Sequence, residues 1–387
     1  VEETQPRTSL HCLTSDYPHV GGVATSIQEM AKVAEGRPDV DLVVVAGCDD
    51  QSRLVRLFTN GVARVLAKAS GELAQVWQWC ARGVVVSARL TRASRRGVVL
   101  PVVCHDAVAL VATRAALRVR RAGPVPIRLM VHGYLAREAV SDWGCRPNGP
   151  AARLGHWLER CGYRGATEVV AVDARLAEHV AAVSGVRARV LFNATDVDAF
   201  DRSDVARADP PEVLVPRRLV RKNGVVNAVR AVAASTRDDW VLVVVGDGPE
   251  MDALREEAGR LGVAGRVRLA GAVPYTEMPL AVARASVVLI PSVPSEGVEE
   301  ATSHSALEAM AGGRAVVMSR IGGLAELGAR CASIVMVAPG EPQQLADAID
   351  ELLGDPVLAA ERGAGVQRYV RANHDVKTYF EDVCLTA

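Results

Sequence analysis

Residues Glu296–Gly313 read EGVEEATSHSALEAMAGG, and Val287–Ile290 shortly before them read VVLI. The apolar run reads as a short buried strand. Ala306, Leu307, Ala309 and Met310 read as the opening of a helix that Gly312 and Gly313 stop. Glu300 and Glu308 stand on the two sides of that loop-to-helix boundary, with seven residues between them. A helix start offers amides to an anion, and carboxylates accept hydrogen bonds from hydroxyl groups. The stretch therefore suits a ligand that carries both a phosphate group and hydroxyls.

Outward from this stretch, short apolar runs alternate with helix-length segments. The predicted strands of the first half are Ser9–Thr14, Asp41–Ala46, Val98–Val103, Ile127–Val131, Glu168–Val172 and Ala188–Leu191. Those of the second half are Glu212–Val215, Val241–Val245, Arg266–Leu269, Val287–Ile290, Ala315–Met318 and Ile334–Val337. Many are Val-rich without polar alternation, as in strands buried on both faces. Six per half, separated by helices, predict an α/β protein of two doubly wound parallel sheets. The polar stretch Asp201–Pro211, DRSDVARADPP, is the predicted boundary. The expected division is 1–200 for an N-terminal domain, 201–365 for a C-terminal domain, and 366–387 for a helix returning to the first.

The chain has 387 residues, 49% apolar and only 4% aromatic, so its cores must be built from Val, Leu and Ala. Net charge is zero, which argues against a general nucleic-acid binder. The balance is uneven: residues 51–150 hold 16 Lys and Arg against 4 Asp and Glu. A basic surface of this kind either is simply solvated or meets an anionic acceptor or an anionic membrane surface. Eight cysteines without CxxC or metal-type spacing read as reduced thiols. No apolar run approaches the roughly 18 residues that span a bilayer. The expected location is cytoplasmic, with peripheral contact at the inner face of the membrane left open.

Several short motifs fall at predicted strand ends. Gly21 and Gly22 lie between the first strand and an amphipathic helix, where glycine permits close backbone approach to a phosphate or simply makes a tight turn. VPRRLVRKNG follows the first strand of the second half, and its Arg217, Arg218 and Lys222 are suited to neutralising a diphosphate leaving group. Gly246, Asp247, Gly248 and Pro249 form a strand-to-helix turn able to border a nucleotide pocket. His105 and His132 each follow a strand of the first half, and Asp16, His105 and Asp106 on that rim are the candidates for binding acceptor hydroxyls. His304, inside the Glu300–Glu308 interval, either touches substrate or caps the helix.

Taken in order, Gly21-Gly22, His132, Asn193 in VLFNATDVDAF, Arg218 and Lys222, GDGPE, RVRLAGAVPY, PSVPSEG and Glu300-x7-Glu308 before AMAGG resemble the retaining glycosyltransferases of family 4. That resemblance implies the GT-B fold, two Rossmann-like domains facing a cleft. It implies transfer of a sugar from a nucleoside-diphosphate sugar to an acceptor hydroxyl with retention, the leaving phosphate serving as base. UDP is the first expected base and GDP the second. No cofactor or metal is implied. Gly22 would approach the diphosphate, Arg218 and Lys222 would bind it, and Glu300 would orient the donor sugar. Glu308 would bind the ribose, backbone around Val273 would read the base, and His132 would sit near sugar and acceptor. Ser303, His304 and Ser305 join the donor set.

Three departures from the family pattern stand out. Glu300 is followed by Ala301-Thr302-Ser303 rather than Gly-Phe-Gly. Lys222 is followed by Asn223-Gly224, which leaves Arg217 and Arg218 both open as the diphosphate ligand. Asn193 is followed by Ala194 instead of glycine. Two other functions fit the same residues: a phosphorylase- or epimerase-like enzyme acting on sugar phosphates, and a non-catalytic sugar-nucleotide-binding subunit.

Overall fold

The computed structural model describes residues 8–14, 22–47, 52–93, 102–121, 123–141, 144–295 and 300–385. It divides into two compact units, Val1–Phe192 with Lys377–Ala387, and Asn193–Val376. The stretch Asp201–Pro211 lies wholly within unit 2. The reason is local: Val197 and Phe200, on the short helix just before it, are buried in that unit's core.

Unit 1 contains strands β1 (Thr8–Thr14), β2 (Val40–Ala46), β3 (Val102–Cys104), β4 (Ile127–Val131), β5 (Glu168–Ala171) and β6 (Arg189–Val190). They form one sheet in the order β2-β1-β3-β4-β5-β6, every pair parallel. Unit 2 contains β7 (Glu212–Pro216), β8 (Val241–Val245), β9 (Val267–Gly271), β10 (Val287–Ile290), β11 (Ala315–Ser319) and β12 (Val335–Val337). Their order is β12-β11-β10-β7-β8-β9, again all parallel. The twelve predicted strands are thus present. Their ends shift where pairing is one-sided or a turn intrudes. The edge strand β6 keeps only two residues, and β9 begins at Val267 because Ala264–Arg266 winds into a 3-10 turn. Residues 98–101 of the third predicted strand lie outside the described residues.

Strand periodicity builds the core of unit 2 directly. Val213, Val215, Leu242, Val244, Val287 and Leu289 point to one face and join the helices Val225–Ala234 and Pro342–Gly354. Leu214, Val243, Val245, Val288, Ile290, Val316 and Met318 point to the other and join His304–Ala311, Gly322–Arg330 and Pro356–Asn373. Successive side chains alternate faces, and both faces are covered, so every position must be apolar. Each fully buried Val or Leu contributes about 1.5–3 kcal/mol.

In both sheets the winding reverses between two neighbouring strands, β1 and β3 in unit 1 and β7 and β10 in unit 2. Loops leaving the carboxyl ends of such strands diverge and open a crevice there. The end of the chain belongs to unit 1. Arg128, a buried cation on β4, ties it down by donating to the carbonyls of Asp382 (2.8 Å) and Val383 and to Glu168 (2.6 Å). Tyr379, Phe380 and Val383 are buried with it. Among the described residues no helix is long and apolar enough to cross a membrane.

Candidate functional site

In unit 2 the groups collect at the switch point. Arg217 follows β7, and its N–H extends the ladder by donating to the Val245 carbonyl (3.0 Å). Its guanidinium turns inward and is buried. Nη2 contacts Glu300 Oε2 at 2.7 Å and Ser292 Oγ at 3.2 Å, and also donates to Asn223 Oδ1. Nη1 donates to Ser303 Oγ at 2.6 Å. Ser292 leaves β10, so the network bridges the two strands between which the winding reverses. Arg218 is exposed, and its carbonyl accepts a hydrogen bond from Asn223 Nδ2 (2.8 Å). Lys222 is half-buried, and its carbonyl accepts from Val293 N–H (2.9 Å). The two loops are thereby stitched together.

The second side of the site is the segment before helix His304–Ala311. Its backbone is gripped at Thr302, whose carbonyl accepts from Asn193 Nδ2 (2.8 Å), and at Glu300, whose carbonyl accepts from Gly323 N–H (2.9 Å). Glycine is required at 323 because a Cβ there would stand 2.6 Å from the Ala301 carbonyl carbon. Ser303 occupies the N-cap position, so the positive end of the helix lies beside the Arg217 guanidinium. Ser305 is half-buried on the first turn. His304 is buried with neither ring nitrogen hydrogen-bonded among the described residues, and burial pushes its pKa down to about 4. Glu308 is buried one turn further on, where Oε1 accepts from the Tyr275 hydroxyl (3.1 Å). Val273 is half-buried in the same loop as Tyr275. Gly246 closes β8, its N–H donating to the Gly271 carbonyl (2.8 Å), and a Cβ there would meet the Arg217 carbonyl oxygen at 2.0 Å.

In unit 1, His105 follows β3 and His132 follows β4, as their positions in the sequence predict. The two rings lie edge to edge and nearly coplanar, with centroids 5.3 Å apart and planes 14° from parallel, and His105 Nδ1 lies 3.0 Å from His132 Nε2. Asp106 caps the helix Ala107–Val119: Oδ1 accepts from Ala109 N–H (2.7 Å), and Oδ2 from the Thr14 hydroxyl at the end of β1 (3.1 Å). Gly22 is exposed at the start of helix Gly22–Glu35. Gly21 and Asp16 lie outside the described residues, as do Glu296 and Glu299.

Chemically, unit 2 offers a cationic cluster at a helix N-terminus with two carboxylates nearby, the donor set that a diphosphate joined to hydroxylated groups requires. Residues 196–368 match the family described as Glycosyl transferases group 1. The 2-deoxystreptamine glucosyltransferase of Streptomyces kanamyceticus is 29% identical over 266 residues, 63% of this chain and 67% of that one. The 2-deoxystreptamine N-acetyl-D-glucosaminyltransferase of Streptomyces fradiae is 27% identical over 384 residues, 91% of this chain and 86% of that one. Among solved structures, Anabaena HepE in complex with UDP-glucose superposes with a TM-score of 0.70 at 20% identity, covering 97% of this chain and 98% of that one. The chain is a GT-B glycosyltransferase.

Four side chains of the glycosyltransferase's unit 2 network escaped the sequence reading: Ser292, Asn223, Asn193 as a clamp on Thr302, and Tyr275. All four lie inside motifs quoted above, but the contacts of Ser292, Asn193 and Tyr275 join residues far apart in the chain, as in Arg217 to Ser292. No local pattern encodes such a pairing.

Proposed function

We propose that this glycosyltransferase is a retaining family 4 enzyme that moves a sugar from a UDP-sugar to a hydroxyl of an aminocyclitol such as 2-deoxystreptamine. The observation that carries the proposal is the Arg217–Glu300–Ser303 network at the start of helix His304–Ala311. The bound UDP-glucose of the HepE structure supports a UDP-sugar over a GDP-sugar. The names of the two Streptomyces relatives support the acceptor class. In this reading Lys222 and Arg218 meet the diphosphate at the exposed edge of the network. Arg217 holds Glu300 in position, and Glu300 orients the donor sugar. Glu308, set by Tyr275, receives the ribose hydroxyls, and backbone near Val273 meets the base. Cationic groups fixed before reaction offset charge growing on the departing phosphate without reorganisation. In unit 1, His132 and Asp106 serve the acceptor side.

The test is nucleoside-diphosphate release from a panel of UDP- and GDP-sugars with and without 2-deoxystreptamine, followed by NMR of the product's anomeric proton. Acceptor-dependent UDP release with a retained anomer supports the reading. Release from GDP-sugars alone, or an inverted product, removes it. UDP at a hundred times its dissociation constant should add about 2.7 kcal/mol of stability.

A second reading, contact with an anionic membrane surface, is favoured by residues 53–68. Leu54 is 80% and Val65 67% exposed there, with Leu57 and Phe58 also exposed, beside exposed Arg53, Arg56, Arg64 and Lys68. Apolar and basic groups together on a helical surface are the composition of interfacial helices. Flotation with anionic vesicles at low salt tests it, and absence of binding ends it.

A further inference from the structure

His105 is buried, 2% exposed, between Cys104 at the end of β3 and the helix-capping Asp106. Its ring is therefore fixed by the fold, with Nδ1 in contact with His132 Nε2 and Nε2 buried with no hydrogen-bond partner among the described residues. The contact needs one proton between the two nitrogens, and three arrangements supply it. A cationic His105 is excluded by its burial, which drives its pKa down to about 4. A proton on His132 Nε2 would require His105 to accept at Nδ1, leaving the His105 proton on Nε2 as a buried N–H with no acceptor. A buried N–H without an acceptor is rarer than an under-satisfied acceptor, so this arrangement is the less favourable one. The remaining arrangement puts the proton on His105 Nδ1 and leaves only a bare lone pair unsatisfied at Nε2.

We infer that His105 is a positioning residue: its Nδ1–H bond to His132 Nε2 fixes the His132 ring and holds it neutral, with its own proton on Nδ1. His132 Nε2 then serves as the acceptor of that bond and does not take a proton. Asp106 accepts from Ala109 N–H and the Thr14 hydroxyl, and Glu138 accepts from Tyr134 N–H (3.3 Å). The role of His132 in transfer rests on the function proposed above, but its protonation pattern does not.

The experiment is long-range proton–nitrogen correlation NMR on the full chain labelled with 15N-histidine. The chain has eight histidines, and loss of one signal in His132→Asn assigns the residue. At pH 7 the wild type should show His132 with protonated Nδ1 and unprotonated Nε2. His105→Phe, which keeps a planar ring but no donor, should move His132 towards the Nε2–H form. His105→Asn, which keeps a donor, should restore much of the original pattern. A wild-type His132 carrying its proton on Nε2 or on both nitrogens overturns the inference, as does an unchanged pattern in His105→Phe. The wild-type spectrum decides the tautomer even where a variant fails to fold. In turnover, His105→Phe should lower kcat about tenfold, the order expected for one lost hydrogen bond. KM for the donor should stay within about twofold, since ground-state binding is unaffected. A changed spectrum with unchanged kcat upholds the hydrogen bond and overturns the catalytic role of His132.

Discussion

Arg217 and Glu300, 83 residues apart in the chain, form an ion pair at 2.7 Å whose side chains are 6% and 16% exposed. The pair joins the carboxyl end of β7 to the segment that precedes helix His304–Ala311. Because it is almost closed to water, its two charges depend on each other in a way that surface pairs do not.

Removing the arginine takes away the buried cation that Glu300 contacts and also unbonds Ser292, Ser303 and Asn223. Arg217→Ala is expected to cost on the order of 3 kcal/mol. The neighbouring Arg218→Ala, on an exposed side chain, should stay within about 0.5 kcal/mol. Urea midpoints of the two variants check this, and equal shifts would show that the network adds nothing to stability.

Gly246→Ala forces a Cβ to within 2.0 Å of the Arg217 carbonyl oxygen, at a residue with φ of 147°. The expected loss is about 2 kcal/mol or more, together with weaker stabilisation by UDP. Gly259→Ala is the control, since open space surrounds that helical glycine and alanine there should add up to about 1 kcal/mol. Thermal melts with and without UDP separate the two.

Tyr275→Phe removes the hydroxyl that donates to Glu308. A hydrogen bond of this kind is worth about 1 kcal/mol net, so donor affinity should fall about fivefold. Calorimetric titration with UDP-glucose measures it, and unchanged affinity would dissociate Glu308 from ribose binding.

The fold should be acid-sensitive through two histidines. Burial lowers His105 and His304 from 6.5 to about 4, so between those values the unfolded chain binds more protons than the folded one. Their contribution is complete above pH 6.5 and is lost as pH falls towards 4, at about 1.4 kcal/mol per unit of separation for each group. His304→Leu should flatten the decline of the melting temperature between pH 6.5 and 4.5. A slope identical to the wild type would assign the acid sensitivity elsewhere.

Much of this architecture was legible in the chain before any contact was known. The runs at Val241–Val245 and Val287–Ile290 coincide with β8 and β10, because strands covered on both faces favour apolar residues; Ile127–Val131 coincides with β4 despite its one buried cation, Arg128. The glutamates 300 and 308 and the histidines 105 and 132 also stood out, since polar side chains beside buried strands need a reason to be there.

Amino-acid order alone thus determined the alternation of strands and helices, the parallel class of both sheets, and the loops in which chemically capable residues collect. Only the tertiary structure decided between Arg217 and Arg218 as the buried partner of Glu300. Neighbouring side chains leaving a strand point to opposite sides, so a shift of one residue would exchange the buried guanidinium for the exposed one. The same holds for Ser292 and Tyr275, and for the pairing of His105 with His132. Each acquires its partner from the packing of distant loops at the sheet's reversal point, and that packing energy is distributed over the whole core and written in no single motif.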